Sequence, residues 1–180
     1  MLLEKIDVRP IIASHLDTLR DYGTGKRSAF DWILFFVFPI LVGGFAYWEG
    51  VQLRAIAVTG LLTAFAIFTG LLLNLIMTVL TFLRTTRGNP ADSSLQIRKQ
   101  LLRQLAANLA FSILISVAVV AVAITALFRL AKAQDQIGSA PSFLLVIGGV
   151  AFILNLLMVL RRIYALILNE FDRHKMSSPA

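Results

Sequence analysis

The sequence predicts an all-α, polytopic membrane protein with four transmembrane helices and both ends on the cytoplasmic side. Three observations carry this reading. First, the 180 residues are 58% hydrophobic and only 15% charged, whereas soluble domains carry nearer a quarter charged residues. Second, the charges are gathered rather than scattered. Trp32–Trp48, Ala55–Leu83, Gln104–Phe128 and Gln136–Leu160 contain no Asp, Glu, Lys or Arg and run for 17, 29, 25 and 25 residues. A helix needs about 20 apolar residues to cross the hydrocarbon core, and these runs are apolar nearly all round, unlike a soluble core helix with one polar face. Third, of the 17 Lys and Arg residues, 14 fall in residues 1–29, 84–103 and beyond 160, and 3 in the two remaining connections. The positive-inside rule then places both termini and the middle loop in the cytoplasm.

Residues 1–29 read as a cytoplasmic amphipathic segment. In "PIIASHLDTLRDY" (residues 10–22), Ile12, Leu16 and Leu19 recur at helical spacing and Pro10 suits a first helical turn. Such a helix lies on the membrane or against a partner, with His15 read as a surface histidine. "GTGKRS" (Gly23–Ser28) does not meet the phosphate-loop pattern, because Arg20 stands where the first glycine is required. It reads as a helix end followed by a basic anchor. The transmembrane domain then covers residues 30–168. The first span, about 31–48, is aromatic, with Trp32 and Trp48 at its ends as an interfacial belt and a bend expected at Pro39 and Gly43-Gly44. The second covers about 55–83. At 100° per residue from Asn74, its Thr59, Gly60, Thr63, Ala66, Gly70, Thr78 and Thr81 fall on one half of the helix, and of its polar residues only Thr69 points away.

The cytoplasmic loop 84–103 holds five basic residues, Arg84, Arg87, Arg98, Lys99 and Arg103. Gly88-Asn89-Pro90 breaks the second helix, and Ser93 with Gln96 fits a capping box that starts the third. The third span, about 104–128, carries Asn108, Ser112 and Ser116 at i, i+4 and i+8. The fourth, about 142–162, carries Gly148, Ala151 and Asn155, continuing to Arg162 and Asn169. Residues 163–180 form a cytoplasmic helical extension and tail, where Ile163, Tyr164, Ile167, Leu168 and Phe171 are too apolar for a free segment and point to a packing partner.

Two stretches share a core, "LLLNLIM" (Leu71–Met77) and "ILNLLM" (Ile153–Met158). Both lie on spans running outside to inside. They suggest a parallel repeat of two hairpins, first span with second and third with fourth, with chance similarity in a Leu-rich chain as the alternative. Asn155 and Asn108 sit about 8–9 Å from the cytoplasmic basic ring and Asn74 about 15 Å, at the usual helical rise, so an amide layer is expected in the cytoplasmic half of the bundle. Asn74, Thr63, Gly70, Thr78, Thr81, Asn108, Ser112, Ser116 and Asn155 are therefore candidates for one of two roles. They are helix-packing residues, or they line a hydrophilic pathway built by several subunits with the Thr/Asn face of the second helix inward. If one asparagine lines a pathway it is Asn74, with Asn155 holding helices together.

The same composition excludes much. No ionisable residue lies deep in a span, which argues against proton-coupled transport. There is no nucleophile–base pair, no paired carboxylates and no HExxH, so no catalytic residue, cofactor site or metal site is expected. There is no cysteine, hence no disulfide or thiolate site. The net charge of +7 reads as topology and contact with anionic lipid headgroups through Arg84, Arg87, Arg98, Lys99, Arg103, Arg161 and Arg162, or as docking of a cytoplasmic partner. Without aromatic-basic interleaving, direct nucleic-acid binding is not expected.

The segments "HLDTLRDYGTGKRSAFD" (His15–Asp31), "AFAIFTGLLLNLIM" (Ala64–Met77), "FSILIS" (Phe111–Ser116) and "LNLLMVLRRIYALILNEF" (Leu154–Phe171) resemble, in layout, small four-helix membrane proteins encoded in bacterial antiphage defence loci, of the general type of the Kiwa system's membrane component. The resemblance implies an inner-membrane homo-oligomer that pairs with a cytoplasmic protein and acts as a channel-like effector or membrane sensor. The alternatives are a holin-like pore without a partner and a non-conducting anchor subunit. No catalytic residue carries over.

Overall fold

The computed structural model describes residues 7–19, 32–85, 93–130 and 135–177, with side chains described for all of these except 93, 94 and 169–177. Among the described residues every regular element is helical: α1 (Arg9–Thr18), a π-helical turn (Ile33–Val37) leading into α2 (Phe38–Trp48), α3 (Ala55–Thr85), α4 (Ser93–Phe128) and α5 (Ser139–Ser177).

Each helix has a local cause. Pro10 occupies the first turn of α1, where its missing N–H costs nothing. The Arg9 N–H donates to Asp7 Oδ1 at 2.9 Å, satisfying one of the free donors at that end. In α3 the buried residues are Val58, Phe65, Leu72 and Val79, a seven-residue repeat that keeps one stripe against a neighbour. α5 repeats the device with Leu145, Phe152 and Val159. Near Pro39, where a bend was expected, the helix carries a π turn that ends two residues before that proline. Proline breaks the regular ladder, and a wider turn absorbs the mismatch.

Three helices are long and apolar enough to cross a membrane: Ala55–Thr85, Leu95–Phe128 and Ser139–Leu168. The chain thus has the make-up of a multi-pass membrane protein. The fourth expected span falls short among the described residues. Ile33–Trp48 rises only about 24 Å at 1.5 Å per residue, against a core of about 30 Å.

The helices pack in the order α3, α4, α5, α2, and α1 docks on α4. α4 is therefore central. Phe65 of α3 also reaches Phe152 of α5, with ring centroids 4.7 Å apart. This order departs from the two-hairpin repeat. The third and fourth spans do pair, but the backbones of α2 and α3 do not come within packing distance of each other, and α2 lies on α5 instead. Two glycines make those approaches possible. A Cβ on Gly43 would stand 2.5 Å from Ile147 Cγ1, and one on Gly148 would collide with Val119 Cγ2. At the end opposite α1, the two connections pin each other. Ala55 N–H donates to Asp135 O at 2.8 Å, Ile137 N–H to Leu53 O at 2.9 Å, and Leu53 N–H to Ser142 Oγ at 3.0 Å.

Candidate functional site

The sequence-predicted polar residues divide into two sets with opposite environments. Asn108, Ser112, Ser116 and Asn155 are fully buried. Asn74, Thr63, Gly70, Thr78 and Thr81 are exposed on the outer face of α3. The expected amide layer is thus not one layer, since Asn108 and Asn155 meet inside while Asn74 faces away from both.

The buried set forms one hydrogen-bonded network around α4. The Asn155 amide donates to Asn108 O at 3.1 Å and to Ser112 Oγ at 2.6 Å, and Ser112 Oγ itself donates to Asn108 O at 3.0 Å. Asn108 turns its own side chain toward α1. Its Oδ1 lies 2.9 Å from His15 Nδ1 and 2.9 Å from Thr18 Oγ1. An amide oxygen only accepts, so Nδ1 carries the imidazole proton and Nε2 presents a lone pair. The Thr18 hydroxyl also lies 2.6 Å from His15 O, so its single proton is shared between two acceptors. One helical turn toward the bilayer centre, Ser116 Oγ donates to Phe65 O at 3.0 Å, and Thr69 Oγ1 donates to the same carbonyl at 2.7 Å. Thr69, the one polar residue expected to point away from the Asn74 face, is thereby the α3 residue that joins the interior.

Arg162 closes the network on the α1 side. Its guanidinium donates to Gln104 Oε1 at 2.7 Å and to Thr18 O at 3.0 Å. It is half-buried and directed inward, rather than offered to lipid or a partner as the sequence suggested. The network ties α1, α3, α4 and α5 together, which is the packing role of polar residues between membrane helices, each bond worth roughly 0.6–2 kcal/mol. Its Asn108, Ser112, Ser116 and Asn155 side chains are fully enclosed, so the buried set does not line a pathway within one protomer. Among the described residues, three enclosed atoms have no partner: His15 Nε2, Asn108 Nδ2 and Asn155 Oδ1.

His15 is the residue that sequence reasoning misplaced. It is completely buried, stacked on Phe111 with ring centroids 3.9 Å apart and planes 11° from parallel. Of the three residues expected inward on α1, Leu19 is buried, Leu16 half-buried and Ile12 exposed; the inward face is Ile11, His15, Thr18 and Leu19. Its i, i+4, i+7, i+8 spacing was the available signal. Burial pushes the imidazole down from 6.5 to about 4, opposed by the Asn108 hydrogen bond and assisted by the nearby Arg162 charge. The docked state thus favours neutral His15. The contribution of neutral His15 to docking is fully present above about pH 6.5 and is lost as pH falls from there toward 4, by on the order of 2–3 kcal/mol. Hydrogen exchange of the Ile11–Leu19 amides, corrected for intrinsic rates, is expected to speed up at least tenfold between pH 7.5 and 4.5. Constant protection over that range would contradict it.

On the outer face of α3, the threonines satisfy themselves. Thr63, Thr78 and Thr81 each donate to the carbonyl four residues back at 3.0 Å. Asn74 differs: among the described residues its side-chain amide has no hydrogen-bond partner. The buried stripe Val58–Phe65–Leu72–Val79 lies on the opposite side of α3, about 180° away by the helical repeat.

Of the basic residues, Arg84, Arg103 and Arg161 are exposed, and Arg98 and Lys99 are half-buried. Arg87, the Gly88-Asn89-Pro90 break, the Gly23–Ser28 anchor and the side chains of Asn169 and Phe171 lie outside the described residues. Among the described residues no group of three or more His, Asp or Glu side chains is placed to hold a metal ion. No family model, curated protein or solved structure matches the chain.

Proposed function

We propose that the protein is an oligomeric inner-membrane protein of a bacterial antiphage defence system, acting as a channel-like effector or membrane sensor with a cytoplasmic partner. In this reading it crosses the bilayer four times, with local thinning of the bilayer accommodating the short first span, and keeps both termini inside. The observation that supports this most is Asn74. An amide facing hydrocarbon with no partner is costly, and residues of this kind in membrane helices mark helix–helix contacts or water-lined paths. The outer face of α3 around it, with Thr63, Gly70, Thr78 and Thr81, supplies small and hydroxyl side chains that let a second helix approach. Subunits meeting there enclose a polar strip that a single protomer is too small to surround. The hydroxyls already bonded within α3 keep their lone pairs for water or ions.

The cytoplasmic partner is supported by α5 beyond the basic ring. Tyr164, Ile167 and Leu168 remain exposed there, and Arg84, Arg103 and Arg161 are exposed as well. An apolar strip accompanied by cations suits a protein surface carrying acidic groups. The reading is tested by membrane potential. Induced expression, alone or with the activated partner, is expected to depolarise cells, and Asn74→Leu to abolish the effect. Unchanged depolarisation in that variant would remove the Thr/Asn-lined path.

A further inference from the structure

A groove at the end of the bundle that carries Arg103 and Arg161 is complete within one protomer, so it stands apart from the subunit contact proposed at Asn74. α4 packs on both α3 and α5, whose backbones do not come within packing distance of each other. The furrow left over α4 holds a space of about 350 Å³, partly open at its side. That volume is within the range of ligand pockets, roughly 300–1,000 Å³. Its walls are apolar, with Leu75, Phe82, Leu105 and Leu166 among them, and Thr78 and Arg98 are the polar side chains that line it. The Thr78 hydroxyl already donates to Asn74 O at 3.0 Å. Arg98 is half-buried, so part of its side chain stays accessible. It also has an interaction within the chain, and the five N–H donors of a guanidinium can serve that and a ligand together.

The two ends of the groove differ. Leu75 and Leu105 lie inside the charge-free runs of α3 and α4. Arg98 precedes Leu105 on α4 and stands about 10 Å further toward the basic end at the helical rise. Leu166 follows Arg161 and Arg162 on α5, so it too lies toward that end. All three helices are long and apolar enough to cross a membrane. The Leu75–Leu105 end is thus at hydrocarbon depth and the Arg98 end at headgroup level. Among the described residues no Asp or Glu lines the groove.

We propose that this groove holds one anionic phospholipid, with an acyl chain between α3 and α5 and the phosphodiester on Arg98. A guanidinium matches phosphate oxygens two at a time, and a basic pocket between membrane helices at headgroup level suits an anionic lipid. The headgroup beyond the phosphate is uncharged. An ethanolamine would bring its ammonium toward Arg98, and the lining offers no carboxylate to receive it. Free phosphate would meet the same guanidinium but leave the apolar walls uncovered, whereas an acyl chain removes them from contact with water at the headgroup end.

The test uses the full chain in lipid nanodiscs with two photoactivatable lipids that share one diazirine-bearing acyl chain, a phosphatidylglycerol and a phosphatidylethanolamine. After photolysis, labelled residues are mapped by mass spectrometry. The phosphatidylglycerol is expected to label the Leu75–Phe82 and Ile163–Ile167 segments at least fivefold more than the phosphatidylethanolamine. Unlabelled phosphatidylglycerol is expected to compete and excess inorganic phosphate to have no effect. Arg98→Gln is expected to erase the preference. Arg98→Lys, which keeps the charge, is expected to retain most of it and so separates loss of the cation from loss of the fold. Arg103→Gln removes an equal charge outside the groove and is expected to leave the preference intact. Equal labelling of the native chain by the two lipids would overturn the proposal. So would a preference that survives Arg98→Gln, one lost as fully in Arg98→Lys or Arg103→Gln, or competition by inorganic phosphate.

Discussion

Replacing Asn74 with leucine is expected to abolish depolarisation on induced expression while leaving the protomer at least as stable as before. The two halves of that result belong together. Asn74 is exposed and its side chain bonds nothing among the described residues, so removing it breaks no contact described inside the bundle. Leucine at a lipid-facing position is favourable, by about half a kcal/mol on insertion scales. A loss of conductance therefore cannot be put down to unfolding. In the proposed oligomer, leucine removes the amide at the meeting point of subunits, worth roughly 0.6–2 kcal/mol at each copy of the interface, and the polar strip it anchors. In a closed ring that loss repeats at every subunit. Voltage-sensitive dye fluorescence in induced cells, beside the thermal stability of the purified protein, checks both halves. Full depolarisation by Asn74→Leu, or a large drop in its melting temperature, would contradict the assignment.

Asn108→Leu is expected to behave in the opposite way and to be the most destabilising single change in the bundle. Asn108 is fully buried, and its Oδ1 is the acceptor for His15 and a partner of Thr18. Leucine leaves the His15 N–H enclosed and unpaired, at about 1–3 kcal/mol, while Thr18 retains the His15 carbonyl. Adding the poorer fit of a branched side chain, a total of roughly 2–4 kcal/mol is expected. The change should release α1 first, because its docking face contains the orphaned His15 N–H, and the Arg162 bond to Thr18 O goes with it. The α3–α4–α5 packing relies on Val58, Leu72, Leu109, Leu145 and their neighbours and should persist. Asn155→Leu removes only bonds to Asn108 O and Ser112 Oγ and is expected to cost less. Thermal melting in detergent with hydrogen exchange of α1 gives the comparison. Equal stability of Asn108→Leu and the native chain would contradict it.

The charge-free runs located α3, α4 and α5 in the sequence because lipid exposure and core burial demand the same apolar residues over the same length. That degeneracy is also why the rest was hidden. The helical repeat gathered Asn74 with Thr63, Gly70, Thr78 and Thr81 on one face, yet apolar side chains line both sides of a membrane helix, so the direction of that face was open. It turned outward, while the i, i+4, i+8 set on α4 turned inward. His15 was misread because its partner Asn108 is 93 positions away, and local spacing cannot show such a contact. The first span was legible as apolar and, at 17 charge-free residues, as the shortest of the four, but the π turn before Pro39 was not foreseen. The two-hairpin repeat was suggested by a shared Leu-Asn-Leu core, and the two asparagines in it have unlike surroundings. Asn155 is enclosed by α4, and Asn74 faces outward.

The central claim is that the Asn74 face of α3 meets a second copy of the chain. Because the sequence contains no cysteine, a single Thr78→Cys substitution on that face, oxidised in native membranes, tests it most directly. A disulfide-linked dimer is expected, with none from Leu157→Cys, a similarly exposed position on α5. Failure of Thr78→Cys to cross-link, or equal cross-linking from both positions, would contradict the claim.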